Sequence, residues 1–155
     1  KYTSVSITPG NGPRHFVFNN SGTHGYLINE LSGTVEVFSI RANTLEKIQT
    51  ITADTAKTSA TKGSGDIHIS PSGKWLITTN RVTSEQLTIF KIEADGLLTK
   101  TYHQPVAQRP RNFSFSPNGN FVFVASQTED KVQIFSFDDA TGKLTDTHQD
   151  LAIKS

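Results

Sequence analysis

Hydrophobic and polar residues alternate in short runs along most of the chain, and the same succession of runs occurs three times. In each copy a first run leads into a four-residue turn that ends in glycine, and two further apolar runs follow. The first runs of the three copies are His15-Phe16-Val17-Phe18, Asp66-Ile67-His68-Ile69 and Asn112-Phe113-Ser114-Phe115. Alternation with a period of two, together with many β-branched and aromatic residues, predicts β-strands.

The spacing of the copies indicates the architecture. The turn glycines Gly22, Gly73 and Gly119 lie at intervals of 51 and 46 residues, and a period of about 40–50 residues is typical of the four-stranded blades of a β-propeller. We therefore predict an all-β fold of four-stranded antiparallel blades, without a long helix. The predicted strands are, approximately, 14–18, 25–30, 34–40, 45–52, 66–70, 75–80, 86–92, 97–104, 111–115, 121–126, 131–137 and 143–150.

Three blades are too few to close a ring, which takes typically about 4 to 8 blades. We therefore predict one partial propeller domain over residues 1–155. Its blades cover about 12–53, 65–106 and 109–155, and residues 1–11 form the outermost strand of a preceding blade. We expect the remaining blades to come from the same polypeptide, and assembly of several chains into one ring is the alternative.

Charge and composition narrow the range of partners. The 15 basic and 14 acidic residues are mixed along the chain and leave a net charge of +1, so we expect no nucleic-acid partner. No apolar run approaches the roughly 20 residues that span a bilayer, and we expect no membrane partner. The absence of cysteine excludes disulfides and thiolate metal sites from this chain, and it is compatible with either redox compartment. We expect a cytoplasmic location.

Candidate functional residues gather at one edge of the predicted blades. In an antiparallel hairpin, the start of the first strand and the end of the second lie at the same edge. The charged and hydrogen-bonding residues at this edge, which we call the rim, are Arg14, His15, Asn29, Glu30, Asp66, His68, Asn80, Arg81, Arg111, Asn112, Ser126 and Gln127. The long segment 53–65 starts the second blade at the rim and could cover a ligand there, with Lys57 and Lys62 adding positive charge. Simpler interpretations remain open, since strand-end asparagines commonly bond the local backbone and His68 could be a packed channel residue.

Several of these segments resemble a known family. Gly-Pro-Arg-His at 12–15, Asn-Glu-Leu-Ser at 29–32, Gly65–Gly73, Asn80-Arg81 and Gln108–Phe113 are similar, in order, to segments of the seven-bladed propeller lactonases. That family includes the bacterial propeller-type 6-phosphogluconolactonases and the fungal carboxymuconate cyclases. The resemblance covers nearly the whole chain and implies the C-terminal portion of a member, with about three blades of a seven-bladed ring. A family histidine in a His-Pro-His-like segment of an earlier blade has no counterpart in this chain.

The resemblance also implies a function. It places Arg14, Glu30 and Arg81 at the family's proposed catalytic positions, and it makes His15, Asp66, His68 and Arg111 neighbours that bind substrate. The implied reaction is hydrolysis of a sugar-acid lactone, above all of 6-phosphogluconolactone to 6-phosphogluconate in the pentose phosphate pathway. Water would attack the carbonyl, Glu30 would act as the base or orient one, and Arg14 or Arg81 would hold the oxyanion or the phosphate.

The expected partner is thus a phosphorylated sugar lactone, and neither a metal nor a cofactor is expected. Two alternatives remain. One is a carboxymuconate cyclase or another sugar lactonase, in which the same residues would act on a different substrate. The other is a propeller without catalytic activity that serves for binding or scaffolding, because a fold by itself implies no activity.

Overall fold

The computed structural model describes residues 4–42, 44–56 and 62–153. The first blade is a sheet of β1 (Pro13–Phe18), β2 (His24–Asn29), β3 (Thr34–Arg41) and β4 (Thr44–Thr52), and the second is a sheet of β5 (Ser64–Ile69), β6 (Trp75–Asn80), β7 (Gln86–Ile92) and β8 (Leu98–Pro105). The third contains β9 (Pro110–Phe115), β10 (Phe121–Ser126), β11 (Lys131–Asp138), β12 (Lys143–Asp146) and β13 (Leu151–Ala152). Neighbouring strands are antiparallel throughout these sheets.

The structure confirms the predicted fold class. The described residues contain three four-stranded antiparallel sheets, to the last of which β13 adds a short pairing with β11, and they contain no helix. Accordingly, this part of the chain has no helix that is long and apolar enough to cross a membrane. All predicted strands but the last begin and end within two residues of an observed strand.

The last predicted strand, 143–150, is wrong in its extent. Strand β12 ends at Asp146, and the chain returns to the sheet only at β13, which pairs with the other end of β11. The interruption has a local cause, because Thr147 donates from both its amide (3.1 Å) and its hydroxyl (2.6 Å) to the carbonyl of Ile134. His148 follows in the left-handed region with φ 56°, which no strand accommodates.

The core consists of two layers, one on each side of the second blade. Between the first and second blades lie Tyr26, Ile28, Val35, Val37, Ala53, Ile67, Leu76, Phe90 and Leu98. Between the second and third blades lie Trp75, Ile77, Leu87, Ile89, Phe113, Val122, Val124, Phe135, Phe137 and Leu144. All six residues of β6 are therefore buried, because alternate side chains of this strand enter opposite layers.

The innermost strands β1, β5 and β9 are neighbours, since β5 contacts both of the others. Their starts consequently lie together on one side of the three blades. The predicted strand of a preceding blade at residues 1–11 stays a prediction, because residues 1–3 are outside the described residues and residues 4–12 belong to none of the described strands. The blade boundaries and the seven-bladed ring likewise stay predictions at this point.

Candidate active site

Each innermost strand carries a β-bulge where it reaches the rim. The register of pairing with the second strand shifts at Arg14 in β1, across Gly65 and Asp66 in β5, and at Arg111 in β9. A bulge adds one residue to a strand, turns the local side chains away from the regular alternation, and is common beside active sites. Arg14 and Arg111 therefore occupy the same irregular position in the first and third blades, and in the second blade Gly65 occupies it, with Asp66 next to it.

Glu30 forms ion pairs with one arginine of its own blade and with one arginine of the second blade. Its backbone is fixed just after β2, where its amide donates to the carbonyl of Gly12 at 2.7 Å and its carbonyl accepts from the amide of Gly63 at 2.9 Å. Its Oε2 accepts from Nη1 of Arg14 at 3.4 Å, and its Oε1 accepts from Nη2 of Arg81. The three residues that the sequence predicts to be catalytic thus form one chain of ion pairs.

The environment of Arg81 shows how much positive charge collects here. Its side chain is only 13% exposed, and burial lowers its pKa; Glu30 opposes this shift, whereas the nearby cations Arg14 and Arg111 lower the pKa further. An arginine nonetheless stays charged in proteins. Its Nε is buried without a hydrogen-bond partner among the described residues. The three guanidinium groups outnumber the carboxylates of Glu30 and Asp66 at the rim, and the resulting excess of positive charge attracts anions.

Asp66 is the centre of a second group of hydrogen bonds, which joins all three blades. Its side chain is 4% exposed. Its Oδ1 accepts from Nδ1 of His15 at 2.8 Å and from the amide of Ile67 at 3.0 Å. Its Oδ2 accepts from Nε2 of His68 at 3.0 Å and from Nδ2 of Asn112. His15 belongs to the first blade and Asn112 to the third, so this one carboxylate sets the relative positions of rim residues from all three.

These contacts keep Asp66 ionised. Burial alone would raise its pKa, but the hydrogen bond and charge of His68, with hydrogen bonds from His15 and the amide of Ile67, lower the pKa to about 2. Because a carboxylate only accepts hydrogen bonds, each histidine keeps a proton on the nitrogen that faces Asp66. The nitrogens that remain for other partners are Nε2 of His15 and Nδ1 of His68.

A cavity of about 310 Å³ opens beside these groups, and it is lined by Arg14, His15, Arg111, Asn112, Ala125, Ser126 and Gln127. Three of the seven predicted site residues line this cavity directly. The other four hydrogen-bond to those three or to one another: Glu30, Arg81, Asp66 and His68. The structure therefore brings all seven together. Their roles in catalysis or substrate binding stay predictions.

Sequence reasoning missed two residues that shape the rim. The carbonyl of Gly65 accepts from Nε of Arg14 at 2.9 Å, and a Cβ at Gly65 would lie 2.5 Å from Oγ1 of Thr79 and 3.4 Å from Nε of Arg81. That Thr79 hydroxyl in turn accepts from the amide of Asp66 at 2.7 Å. One signal was available, because the first and third copies carry arginine where the second carries this glycine.

The segment before β5 is partly described. Asp54 is 5% exposed and accepts from the amide of Ala56 at 2.6 Å and from the hydroxyl of Ser84 at 3.0 Å, which holds the start of the segment against the second blade. Lys62 donates its ammonium group to the carbonyl of Ala56. Lys57 lies outside the described residues. The prediction that this segment covers a ligand stays a prediction.

In the part of the chain that the structure describes, no three histidine, aspartate or glutamate side chains are grouped so as to hold a metal ion. His15 and His68 each hydrogen-bond to Asp66 instead. The expectation that the site works without a metal or cofactor stays a prediction.

The amino-acid sequence is similar to several curated proteins that carry the same name. The chain is 40% identical to a 6-phosphogluconolactonase of Formosa agariphila, over 99% of this chain and 44% of that protein. It is 37% identical to one of Serratia proteamaculans, over 92% of this chain and 44% of that protein. The chain thus spans less than half the length of the curated relatives that it matches.

Solved structures of lactonases also resemble the chain in both fold and sequence. A candidate 6-phosphogluconolactonase of Bacteroides fragilis superposes with a TM-score of 0.91 at 44% identity, over 96% of this chain and 41% of that one. The periplasmic gluconolactonase of Pseudomonas aeruginosa superposes with a TM-score of 0.90 at 36% identity, over 96% of this chain and 42% of that one. Both similarities extend over all three blades.

A sequence profile of a whole protein family also matches the chain. The sequence profile described as "Lactonase, 7-bladed beta-propeller" matches residues 1–155, and the three antiparallel sheets are the blades that such a protein requires. The resemblance found in the rim motifs is thereby confirmed, and the chain belongs to the seven-bladed β-propeller lactonase family.

Proposed function

We propose that the complete protein that contains this chain hydrolyses 6-phosphogluconolactone to 6-phosphogluconate. The relatives from Formosa and Serratia carry the name of this activity. The observation that carries the proposal is the cavity of about 310 Å³ at which Arg14, Arg111 and His15 meet. Two guanidinium groups and an imidazole suit a substrate that is anionic and that develops further negative charge as it reacts.

The lining of the cavity divides into groups for different parts of the substrate. The planar fork of a guanidinium forms paired hydrogen bonds with phosphate, and Arg111 is the arginine of the lining that the third blade supplies. Asn112, Ser126 and Gln127 add amide and hydroxyl groups, which can bond sugar hydroxyls. We assign Arg111 to the phosphate and these three residues to the sugar.

Arg14 is held in a fixed position for the reacting carbonyl. Its Nε donates to the carbonyl of Gly65 and its Nη1 donates to Glu30. The Nη2 group is therefore left to donate to a ligand, and it has no hydrogen-bond partner among the described residues. A donor that is fixed before the reaction stabilises the oxyanion formed by water attack without any cost of reorganisation. In this proposal Glu30 and Arg81 orient Arg14.

A second substrate is favoured by one specific observation. The Pseudomonas protein, which is 36% identical to the chain, is named a gluconolactonase, and that name refers to a lactone without phosphate. The two substrates share the ring and differ in one dianionic group. Only the phosphorylated lactone would use the positive charge of Arg111.

The proposal includes a ring that is completed by further blades of the same polypeptide, since the chain covers 44% of its curated relatives. It also includes a cytoplasmic location, for which fractionation of the source cells is the test. Nucleic acids and membranes are not among the proposed partners.

The test is a substrate panel for the complete wild-type protein, corrected for spontaneous hydrolysis: fresh 6-phosphogluconolactone, gluconolactone and carboxymuconate. Because charge-assisted hydrogen bonds contribute about 1.5–3 kcal/mol, kcat/KM should be roughly 10–100-fold higher for the phosphorylated lactone than for gluconolactone. Arg111→Gln should reduce this preference, whereas Arg41→Gln, at an exposed position at the end of β3, should retain it. A preference for gluconolactone would transfer the assignment to that substrate, and turnover of none of the three would favour a binding module.

A further inference from the structure

One titratable group of the cavity has the arrangement of a catalytic base. His15 lines the cavity, its Nδ1 is bonded to the buried carboxylate of Asp66 at 2.8 Å, and its side chain is 43% exposed. We propose that His15 is the general base of the lactone hydrolysis and that Asp66 is the residue that positions it. The inference rests on the proposed function and names the group that moves the proton in that site.

Asp66 bonds two histidines, and the structure distinguishes them. His68 is not among the residues that line the cavity, and its ring packs edge-on against Phe113 with the ring centroids 4.8 Å apart. His15 has its ring at the cavity, and since its Nδ1 is engaged, Nε2 is the nitrogen that can face water or substrate. The two side chains are similarly exposed, His68 at 40% and His15 at 43%, so the lining of the cavity distinguishes them. Among the described residues, His15 is therefore the histidine that meets the cavity, and His68 hydrogen-bonds to the same carboxylate.

Among the described residues, the other candidate base is Glu30. Each of its carboxylate oxygens already accepts from a guanidinium, one of Arg14 and one of Arg81, and Glu30 is not among the residues that line the cavity. A carboxylate that is engaged in this way is suited to orienting cations. His15 has both a free nitrogen and access to the cavity, which are the two geometric requirements for a base.

The proposed reaction balances with His15 as the only proton carrier. Nε2 takes a proton from a water whose oxygen bonds to the lactone carbonyl carbon, and Arg14 holds the resulting oxyanion. The ionised Asp66 stabilises the imidazolium, as a carboxylate does behind a catalytic histidine. When the bond from the carbonyl carbon to the ring oxygen breaks, Nε2 returns the proton to that oxygen. The product acid then ionises to solvent.

The charged groups around the imidazole come from all three blades. Arg14 of the first blade and Arg111 of the third line the same cavity, and Asp66 of the second contacts the ring. The charge of Asp66 is constant near neutral pH, because its pKa is about 2, and arginines do not titrate there. The charges of these neighbours are therefore constant near neutral pH.

The test uses the complete protein and the panel described above, with His15→Gln, His15→Ala and, as a matched control, His148→Gln, whose side chain is 87% exposed in wild type. His15→Gln should lower kcat by roughly 10²-fold or more, with KM changed less than about threefold. Added imidazole should restore part of the rate of His15→Ala. His148→Gln should match wild type.

The outcomes separate this inference from the function on which it rests. An active wild type with an unchanged kcat in His15→Gln, or a rise in KM alone, would overturn the inference and leave the proposed function intact. A wild type that hydrolyses no lactone would overturn both. Unaltered circular dichroism of the His15 variants, with imidazole rescue, would show that the loss concerns the chemistry and not the fold.

Discussion

The replacement of Asp66 by asparagine tests the group of hydrogen bonds that joins the three blades. Asparagine preserves the shape of the side chain but removes its charge, and it puts an NH₂ group in place of one carboxylate oxygen. In wild type the two oxygens accept from the side chains of His15, His68 and Asn112 and from the backbone amides of Ile67 and Phe113. Asparagine keeps one acceptor oxygen, and its NH₂ group cannot accept a hydrogen bond. The backbone amide of Ile67 and the side-chain donors would therefore compete for that one oxygen. The variant leaves at least one buried donor without a partner.

The pKa of Asp66 sets the magnitude. It is lowered from 3.8 to about 2 in the folded protein, so ionisation of this group stabilises the fold by about 2.5 kcal/mol at pH 7. The sign follows from linkage: a carboxylate with a lowered folded pKa stabilises above its unfolded pKa, and this stabilisation is lost as the pH falls through the folded pKa. We expect Asp66→Asn to lower the free energy of unfolding by about 2–3 kcal/mol at pH 7 and by about half of that at pH 3.

The assay is urea unfolding of the complete protein, followed by circular dichroism from pH 7 to pH 2. Asp139→Asn is the matched control, because this aspartate is 37% exposed in a surface pair with Lys74, and such pairs contribute less than about 1 kcal/mol. A difference between wild type and Asp66→Asn below 1 kcal/mol at pH 7, or one that stays constant down to pH 2, would refute the account of Asp66.

Two glycine substitutions test packing at other points. Gly142 (φ 73°) would place a Cβ 2.5 Å from the ring of Trp75, whereas Gly22 (φ 69°) has no atom within 4 Å of that position. Gly142→Ala should therefore cost about 1–3 kcal/mol more than Gly22→Ala in urea unfolding, and equal costs would contradict the packing between the second and third blades. Gly65→Ala should push Thr79 and lower kcat/KM roughly 10–100-fold; a wild-type rate would show that the rim tolerates this Cβ.

The architecture could be predicted from local patterns because a blade is built from local pairings. Alternation indicated the strands, and the turn glycines set their period, so that only the outer strand of the third blade was misjudged. Trp75, the first residue of β6, packs between the second and third blades and is 6% exposed. The predicted outer strand of the third blade is too long, because the hydrogen bond from Thr147 to the carbonyl of Ile134 ends the strand there.

The site could be predicted in part only. Hairpin geometry brings the starts of innermost strands and the ends of second strands together, and this is enough to collect Arg14, Glu30 and Arg81 at one rim. Hairpin geometry does not indicate with which residue each side chain forms hydrogen bonds. The bulges and the contacts of Asp66 depend on register and on residues 46 and 51 positions apart, and no pattern within a single copy contains them.

The most direct test of the central claim, that the rim is the active site, is the rate of 6-phosphogluconolactone hydrolysis by the complete protein with Glu30→Gln. This change removes the charge that Arg14 and Arg81 share, so kcat/KM should fall roughly 10²-fold. Glu93→Gln, which disturbs the surface contacts of this carboxylate with Lys91 and Thr99, should leave the rate unchanged. A wild-type rate in Glu30→Gln would contradict the account, because the ion-pair chain would then have no part in the reaction.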